Sequence, residues 1–219
     1  MGGKCRVIGN GRFNPKSHKL PVDIINCSNV IVEKYPGKPG IQGIGYKEQY
    51  EQEKQCLLLL KKNYIDLNNI KYYPFTELIS EHEDELKLVI SFCGDSIKNI
   101  LTYTREEVLF YFKNINLDVF KKRKHIVENI MYNLRCNYMY HLDIKTANVC
   151  VTPDGTIRLV DLGLIVINKS DNIYVPYIDT PWSKTAARKI NRTKYFNKIT
   201  TKMNSVILEL EEKLKQCII

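Results

Sequence analysis

The chain has 219 residues, 44% hydrophobic and 26% charged, which is enough apolar mass to bury a core and too much for a disordered tail. Its formal charge of +9 suits an anionic partner such as phosphate, nucleic acid, acidic protein or membrane surface, and is silent on fold. Seven cysteines (Cys5, Cys27, Cys56, Cys93, Cys136, Cys150, Cys217) are scattered without a C-x-x-C pair; this argues against a zinc site and for a reducing compartment. The longest apolar run, residues 56–60, cannot span a bilayer and no apolar leader opens the chain, so a soluble cytoplasmic protein without a membrane partner is expected. Arg6 stands where a myristoylation signal has Ser or Thr, and Cys217 is third from the end where prenylation needs the fourth.

No repeat interrupts the chain, so its segments are read in order. Val7-Ile8 followed by Gly9-Asn10-Gly11-Arg12-Phe13-Asn14 predicts a short strand and a glycine-bearing turn. Residues 30–34, β-branched between Asn29 and Pro36, predict a strand ending in lysine. Residues 46–64, rich in Glu, Gln, Lys and Leu and free of Gly and Pro, predict a long helix. Residues 86–90 predict a strand that Ser91-Phe92-Cys93-Gly94-Asp95 breaks. Ile126, Val127, Ile130, Met131 and Leu134 fall on one helical stripe. Residues 148–151 and 156–160 predict a hairpin around the turn Thr152-Pro153-Asp154-Gly155. Residues 203–217 predict a helix with Val206, Ile207, Leu210 and Leu214 on one face. From Lys184 onward, nine Lys or Arg stand against three Glu. This basic tail reads as a solvated helical face plus linker, with nucleic-acid contact as the less favoured use.

Two polar motifs flank the predicted hairpin: His141-Leu142-Asp143-Ile144-Lys145-Thr146-Ala147-Asn148 before it and Asp161-Leu162-Gly163 after it. Phosphoryl transfer needs oxygens for a metal, an acceptor for the nucleophile's proton and a cation near the moving phosphate. A hairpin whose ends meet would bring those groups within reach of one another. Taken singly the upstream features discriminate little, since tight turns use glycine and strand-end lysines are commonly solvated. Their combination and order discriminate well.

The two motifs resemble the catalytic loop H-R-D-x-K-x-x-N and the D-F-G of protein kinases. Upstream and in the right order, Gly9-x-Gly11-x-Phe13 resembles the glycine-rich loop, Lys34 the lysine that ends V-A-I-K, and Glu53 the helix glutamate that pairs with it. Leu88-Val89-Ile90-Ser91-Phe92-Cys93-Gly94 resembles the strand and hinge between two lobes. The resemblance covers residues 7–165. It implies an α+β, two-lobed protein-kinase-like fold, with a mostly antiparallel N-lobe sheet plus one helix in residues 1–93 and a reduced, mainly helical C-lobe in residues 94–219. It also implies ATP and Mg2+ as cofactors, with Gly9, Asn10, Gly11, Phe13, Lys34, Ser91, Phe92 and Cys93 around the nucleotide and Asn148 and Asp161 on the metal. Asp143 is then the proton acceptor, Lys145 the cation at the γ-phosphate, and Lys34 a phosphate ligand held by Glu53. His141 is expected to be packed and not a base. A lysine two residues after the aspartate resembles serine/threonine kinases, so the implied activity is transfer to Ser or Thr of a protein substrate.

The pattern also departs from the family. Asn14 stands at the third loop glycine, Leu162 keeps an apolar plug in place of phenylalanine, and Leu142 replaces the arginine that reads an activation-loop phosphate, which implies independence of that switch. No A-P-E follows Gly163, and Asp179-Thr180-Pro181-Trp182-Ser183 resembles only weakly the D-x-W-S of the next kinase helix. The expected short C-lobe is similar to that of the small kinases of large DNA viruses, whose place would be a host cytoplasm. Two other readings stand beside an active kinase: a kinase-fold binding module that regulates a partner protein, and a small kinase-like ATPase.

Overall fold

The structure, a computed structural model, describes residues 6–9, 29–33, 46–61, 64–67, 70–91, 93–175 and 188–217. The chain begins with strands β1 (Arg6–Gly9) and β2 (Asn29–Glu33), then helix α1 (Tyr46–Leu60), the short strands β3 (Ile65–Leu67) and β4 (Ile70–Tyr72), and strands β5 (Leu78–His82) and β6 (Lys87–Ser91). A four-stranded sheet has the order β1-β2-β6-β5. Its β1–β2 pair is parallel and the other two pairs are antiparallel. The long helix expected over 46–64 stops at Leu60, because Ile65 and Tyr72, residues that favour extended backbone, open a small antiparallel ribbon there. The strand expected from Leu86 starts one residue later: Leu86 caps a 3-10 turn, Glu83–Glu85, in left-handed conformation, φ 49°.

Strand β7 (Asp95–Ser96) leads into a helical half comprising α2 (Ile97–Ile100), α3 (Arg105–Tyr111), α4 (Leu117–Lys121) and α5 (Arg123–Cys136). Local side chains start the first three of these helices. Ser96 accepts from Asn99 N–H, Thr104 and Glu107 form a reciprocal capping box, and Asn116 Oδ1 accepts from Asp118 and Val119 N–H. The predicted stripe on α5 is buried at all five positions. Strand β8 (Met139–His141), the hairpin β9 (Val149–Val151) and β10 (Ile157–Leu159), the 3-10 turn Leu162–Leu164 and strand β11 (Ile165–Ile167) carry the two polar motifs. Strands β12 (Asn172–Val175) and β13 (Arg188–Asn191) pair antiparallel and deliver the chain into α6 (Arg192–Cys217). The molecule is thus α+β and protein-kinase-like, with a small sheet lobe and a helical lobe. No described helix is long and apolar enough to cross a membrane.

The basic tail differs from its expected form. Residues 188–191 are a paired strand and not a linker, and the helix begins at Arg192, eleven positions before residue 203. It is a core element that buries Tyr195, Phe196, Ile199, Met203, Val206, Ile207, Leu210, Leu214 and Cys217 and packs against α2, α3 and α5. Its polar first half hid it. Thr200 and Thr201, poor helix formers, return their hydroxyls to the carbonyls of Phe196 and Asn197 at 2.7 and 3.0 Å, and tertiary burial outweighs their propensity. The pair Arg123–Glu211, 2.6 Å apart, ties α5 to α6, and the Arg123 hydrogen bond holds the Glu211 carboxyl below its usual range.

A core helix and a loosely attached tail respond differently to truncation. Leu210, fully buried, should cost about 2–5 kcal/mol when changed to Ala. Leu208, 51% exposed on the same helix, should cost no more than about 0.5 kcal/mol. Urea denaturation of the two variants measures the contrast; equal, small losses would show that α6 is not part of the core.

Candidate active site

Two backbone pairings bracket the polar motifs. Strands β8 and β11 pair antiparallel, with His141 opposite Ile165. At the base of the β9–β10 hairpin, Val160 N–H donates to Asn148 O at 3.0 Å. Loop 142–148 and turn 161–164 therefore leave one paired position and return to another, and neither can drift from its partner without breaking a ladder. The β9–β10 hairpin holds this frame rigid through a turn in which Thr152, Asp154 and Thr156 satisfy one another and Gly155 takes φ +89°.

His141 stitches the two loops from inside. Its Nε2 donates to Val160 O at 3.2 Å, and its Nδ1 accepts Asp143 N–H at 3.3 Å. A carbonyl on one side and an amide on the other require the neutral ring with the proton on Nε2. Burial pushes the imidazole pKa below its ordinary 6.5, against the smaller opposing pulls of the Val160 hydrogen bond and of the Asp161 and Asp143 carboxylates. Both carboxylates thus lie near one ring. This is the packed, non-basic histidine expected from the sequence.

Asp143 is the centre of the loop. Lys145 Nζ pairs with its Oδ2, and Asn148 Nδ2 donates to its backbone oxygen at 2.8 Å and to Oδ2 at 3.0 Å. With the Asn148 nitrogen committed to Asp143, Oδ1 is the atom of that side chain able to take a cation. Asp161 stands at the other end of the hairpin in left-handed conformation, φ 59° and ψ 61°, a backbone that Asp tolerates better than most residues. These are hard oxygen donors of the kind magnesium takes. Among the described residues no group of three or more His, Cys, Asp or Glu gathers, so an ion held by Asn148 and Asp161 would complete its shell from phosphate and water.

The upstream residues divide. Glu53 lies on α1 and is 2% exposed, and α1 packs directly on the Leu162–Leu164 turn and on β5, β6 and β11. Gly9 ends β1 opposite Glu33, the residue before Lys34. Ser91 ends β6, its Oγ accepting from Glu77 N–H at 2.9 Å, and Cys93 is buried just after it. Asn10, Gly11, Phe13, Lys34 and Phe92, together with Asn14 and Trp182, lie outside the described residues.

Sequence reasoning missed Tyr195. Its hydroxyl donates to His141 O at 2.7 Å, across 54 residues, and its ring packs edge-on to Tyr140 at 5.2 Å. Extending the helical stripe of α6 upstream in steps of three and four would have reached Tyr195 as a core position, but nothing local signals what its hydroxyl meets.

Fold and site together define a class: a kinase-like molecule with a carboxylate, a lysine and two further oxygen-bearing side chains, Asn148 and Asp161, on paired loops. No protein-family model matches the chain. Among curated proteins it is similar to Cyclin-dependent kinase 9 of Homo sapiens and of Bos taurus, each 29% identical over 191 residues, 82% of this chain and 46% of theirs. It is also similar to Cyclin-dependent kinase 9-A of Xenopus laevis, 29% identical over 140 residues, 60% of this chain and 35% of that protein. The chain spans less than half the length of these relatives. With the fold, these similarities make the chain protein-kinase-like and distant from the relatives it matches.

The state of His141 is directly measurable. Because the folded pKa is depressed, the stability linked to this ring is complete above pH 6.5. It declines as pH falls below that value, where the unfolded chain takes up a proton that the fold excludes. Long-range proton–nitrogen NMR should show the Nε2–H tautomer at pH 7 and titration below 6.5; a cationic ring at pH 6.5 would contradict the stitched loop.

Proposed function

We propose that the chain is an ATP- and magnesium-dependent phosphotransferase that acts on serine or threonine hydroxyls of a protein. The observation that carries this reading is the double bracket, His141 opposite Ile165 and Asn148 bonded to Val160, which holds Asp143, Asn148 and Asp161 on adjoining loops. In this reading Asp143 orients the acceptor hydroxyl and takes its proton, while Lys145, already paired with Asp143, supplies positive charge toward the transferred phosphate. Asn148 through Oδ1 and Asp161 would hold magnesium, which when bound offsets charge on the phosphate oxygens. In the same reading Glu53, buried on α1, pairs with Lys34, and Gly9, Gly11 and the hinge residues Ser91 to Cys93 would surround the nucleotide. Residues 1–93 form the nucleotide lobe and 94–219 the catalytic lobe.

Leu142 sits where an arginine would read an activation-loop phosphate, and it packs against the core instead. The enzyme therefore works without that switch. The relatives' names describe kinases that depend on a cyclin, and a regulatory protein partner is part of this proposal. Its support is that α1 leaves Leu58 and Leu59 51% and 52% exposed.

Labelled phosphate transfer from ATP with magnesium to generic protein acceptors tests the reading. Asp143→Asn, Asp161→Asn and Lys34→Met should each lower the rate by at least about 100-fold. Transfer that persists in all three would come from a contaminant and sink the claim. Thermal stabilisation by ATP and magnesium without transfer would instead favour a kinase-fold binding module.

A further inference from the structure

The seam between α5 and α6 opens, toward its end remote from the candidate site, into a groove that no step of the proposed reaction uses. The two helices run antiparallel. Arg192 at the start of α6 donates to Arg135 O near the end of α5, and Glu211 near the end of α6 pairs with Arg123 at the start of α5. Lys124 stands twelve positions before Cys136, so about 18 Å of helix separates it from the end of α5, where the chain turns toward β8 and the site. On α6, Thr201, Asn204, Ser205 and Leu208 recur at helical spacing and make a second stripe beside the buried one. Three of these four are short. They do not fill the space beside Val127 and Ile207, which leaves a hollow of about 600 Å³.

The hollow is apolar at its floor and cationic along one wall. Val127 and Ile207 are buried there, and Leu208 at the edge is only half covered. Lys121, at the end of α4, and Arg123 and Lys124, on the first turn of α5, line it with three cations against one carboxylate, Glu211. That carboxylate is already answered within the fold, by Arg123 at 2.6 Å and by Lys215 at 3.3 Å. Lys121 reaches Asp118 at 3.6 Å through side chains 73% and 87% exposed, a pair that solvent screens. Among the described residues no carboxylate pairs with Lys124. Positive charge without a close partner therefore stands beside uncovered apolar surface.

We propose that this groove docks an acidic amphipathic segment of another protein, with apolar side chains on Leu208, Ile207 and Val127 and carboxylates at Lys121 and Lys124. The inference is independent of the phosphotransferase reading. Floor and wall have to be matched at once. A nucleic acid would answer the lysines, but its phosphates would leave the apolar floor uncovered. A second copy of this chain carries +9 and brings like charge to the lysines. A segment with leucine-like side chains on one face and carboxylates beside them suits both, and the hollow has room for several side chains.

The test is fluorescence anisotropy of the full chain with a labelled peptide of about four helical turns, leucine on one face and glutamate elsewhere. Two comparison peptides replace every glutamate by lysine or every leucine by serine. The acidic leucine peptide should bind at least about tenfold more tightly than either. Lys121→Ala with Lys124→Ala should weaken it about five- to thirtyfold, and Leu208→Gln about tenfold. Lys121→Glu with Lys124→Glu should transfer the preference to the lysine peptide, a gain that loss of the fold would not produce. Lys47→Ala, at an exposed position on α1, should change nothing. Equal binding of the serine peptide, or equal losses at Lys47 and Lys124, would reduce the attraction to net charge and overturn the inference. Absence of binding would overturn it too, as would a dimer in sedimentation that Leu208→Gln dissolves, which would seat a second copy in the groove. Absence of phosphate transfer by the wild-type chain would sink the phosphotransferase reading alone and leave these titrations standing.

Discussion

A neutral imidazole joins the two loops that form the candidate site. His141 gives its one proton to Val160 O and takes the amide proton of Asp143, so a single buried ring satisfies both the segment entering the site and the segment leaving it. Met139, Ile144, Val149 and Leu162, on the elements that flank the two loops, are all buried and apolar, and in such a setting an unpaired backbone group would be expensive. The same ring lies near the Asp143 and Asp161 carboxylates, which attract its proton, yet burial prevails and the ring stays neutral. A charged ring could not accept from Asp143 N–H, and the loop would lose its inner support.

From that centre the support spreads outward in two directions. Tyr195 reaches up from α6 to the His141 carbonyl, so the basic C-terminal helix, far from being an appendage, carries the floor of the site. In the other direction α1 lies against the Leu162–Leu164 turn and brings the buried Glu53 with it. One turn further along α1, burial and the Glu53 charge push the Cys56 thiol up to about 12, which marks that interface as dry and that cysteine as a packing residue and not a reactive one. Helix α1 is thus joined through packing to the turn that follows Asp161.

The departures from the kinase pattern become intelligible in the same terms. Leu142, standing where the family's arginine stands, is partly buried against the core and adds to the hydrophobic support of the loop. Leu162, in place of phenylalanine, is 1% exposed in the turn that α1 covers, so it performs the apolar role that the position requires. Each substitution exchanges a regulatory or bulky group for plain packing, and neither disturbs Asp143 or Asp161.

Much of this was legible in order along the chain. The α5 stripe, the hairpin around Pro153 and Gly155, the strand before the hinge and the spacing of Asp143, Lys145, Asn148 and Asp161 are all local features, carried by periodicity, turn chemistry and residue type within a few positions. By itself the sequence therefore determined which side chains the candidate site brings together on the hairpin's flanks and which elements deliver them. The extent of α6, the parallel β1–β2 pair, the tautomer of His141 and the contacts of Tyr195 and Tyr111 were decided only in three dimensions. They depend on partners tens of residues away, as in the 54 between Tyr195 and His141 and the 40 between Tyr111 and Val151. A hydroxyl or an imidazole carries no local mark of the distant backbone group that it will satisfy once the core closes.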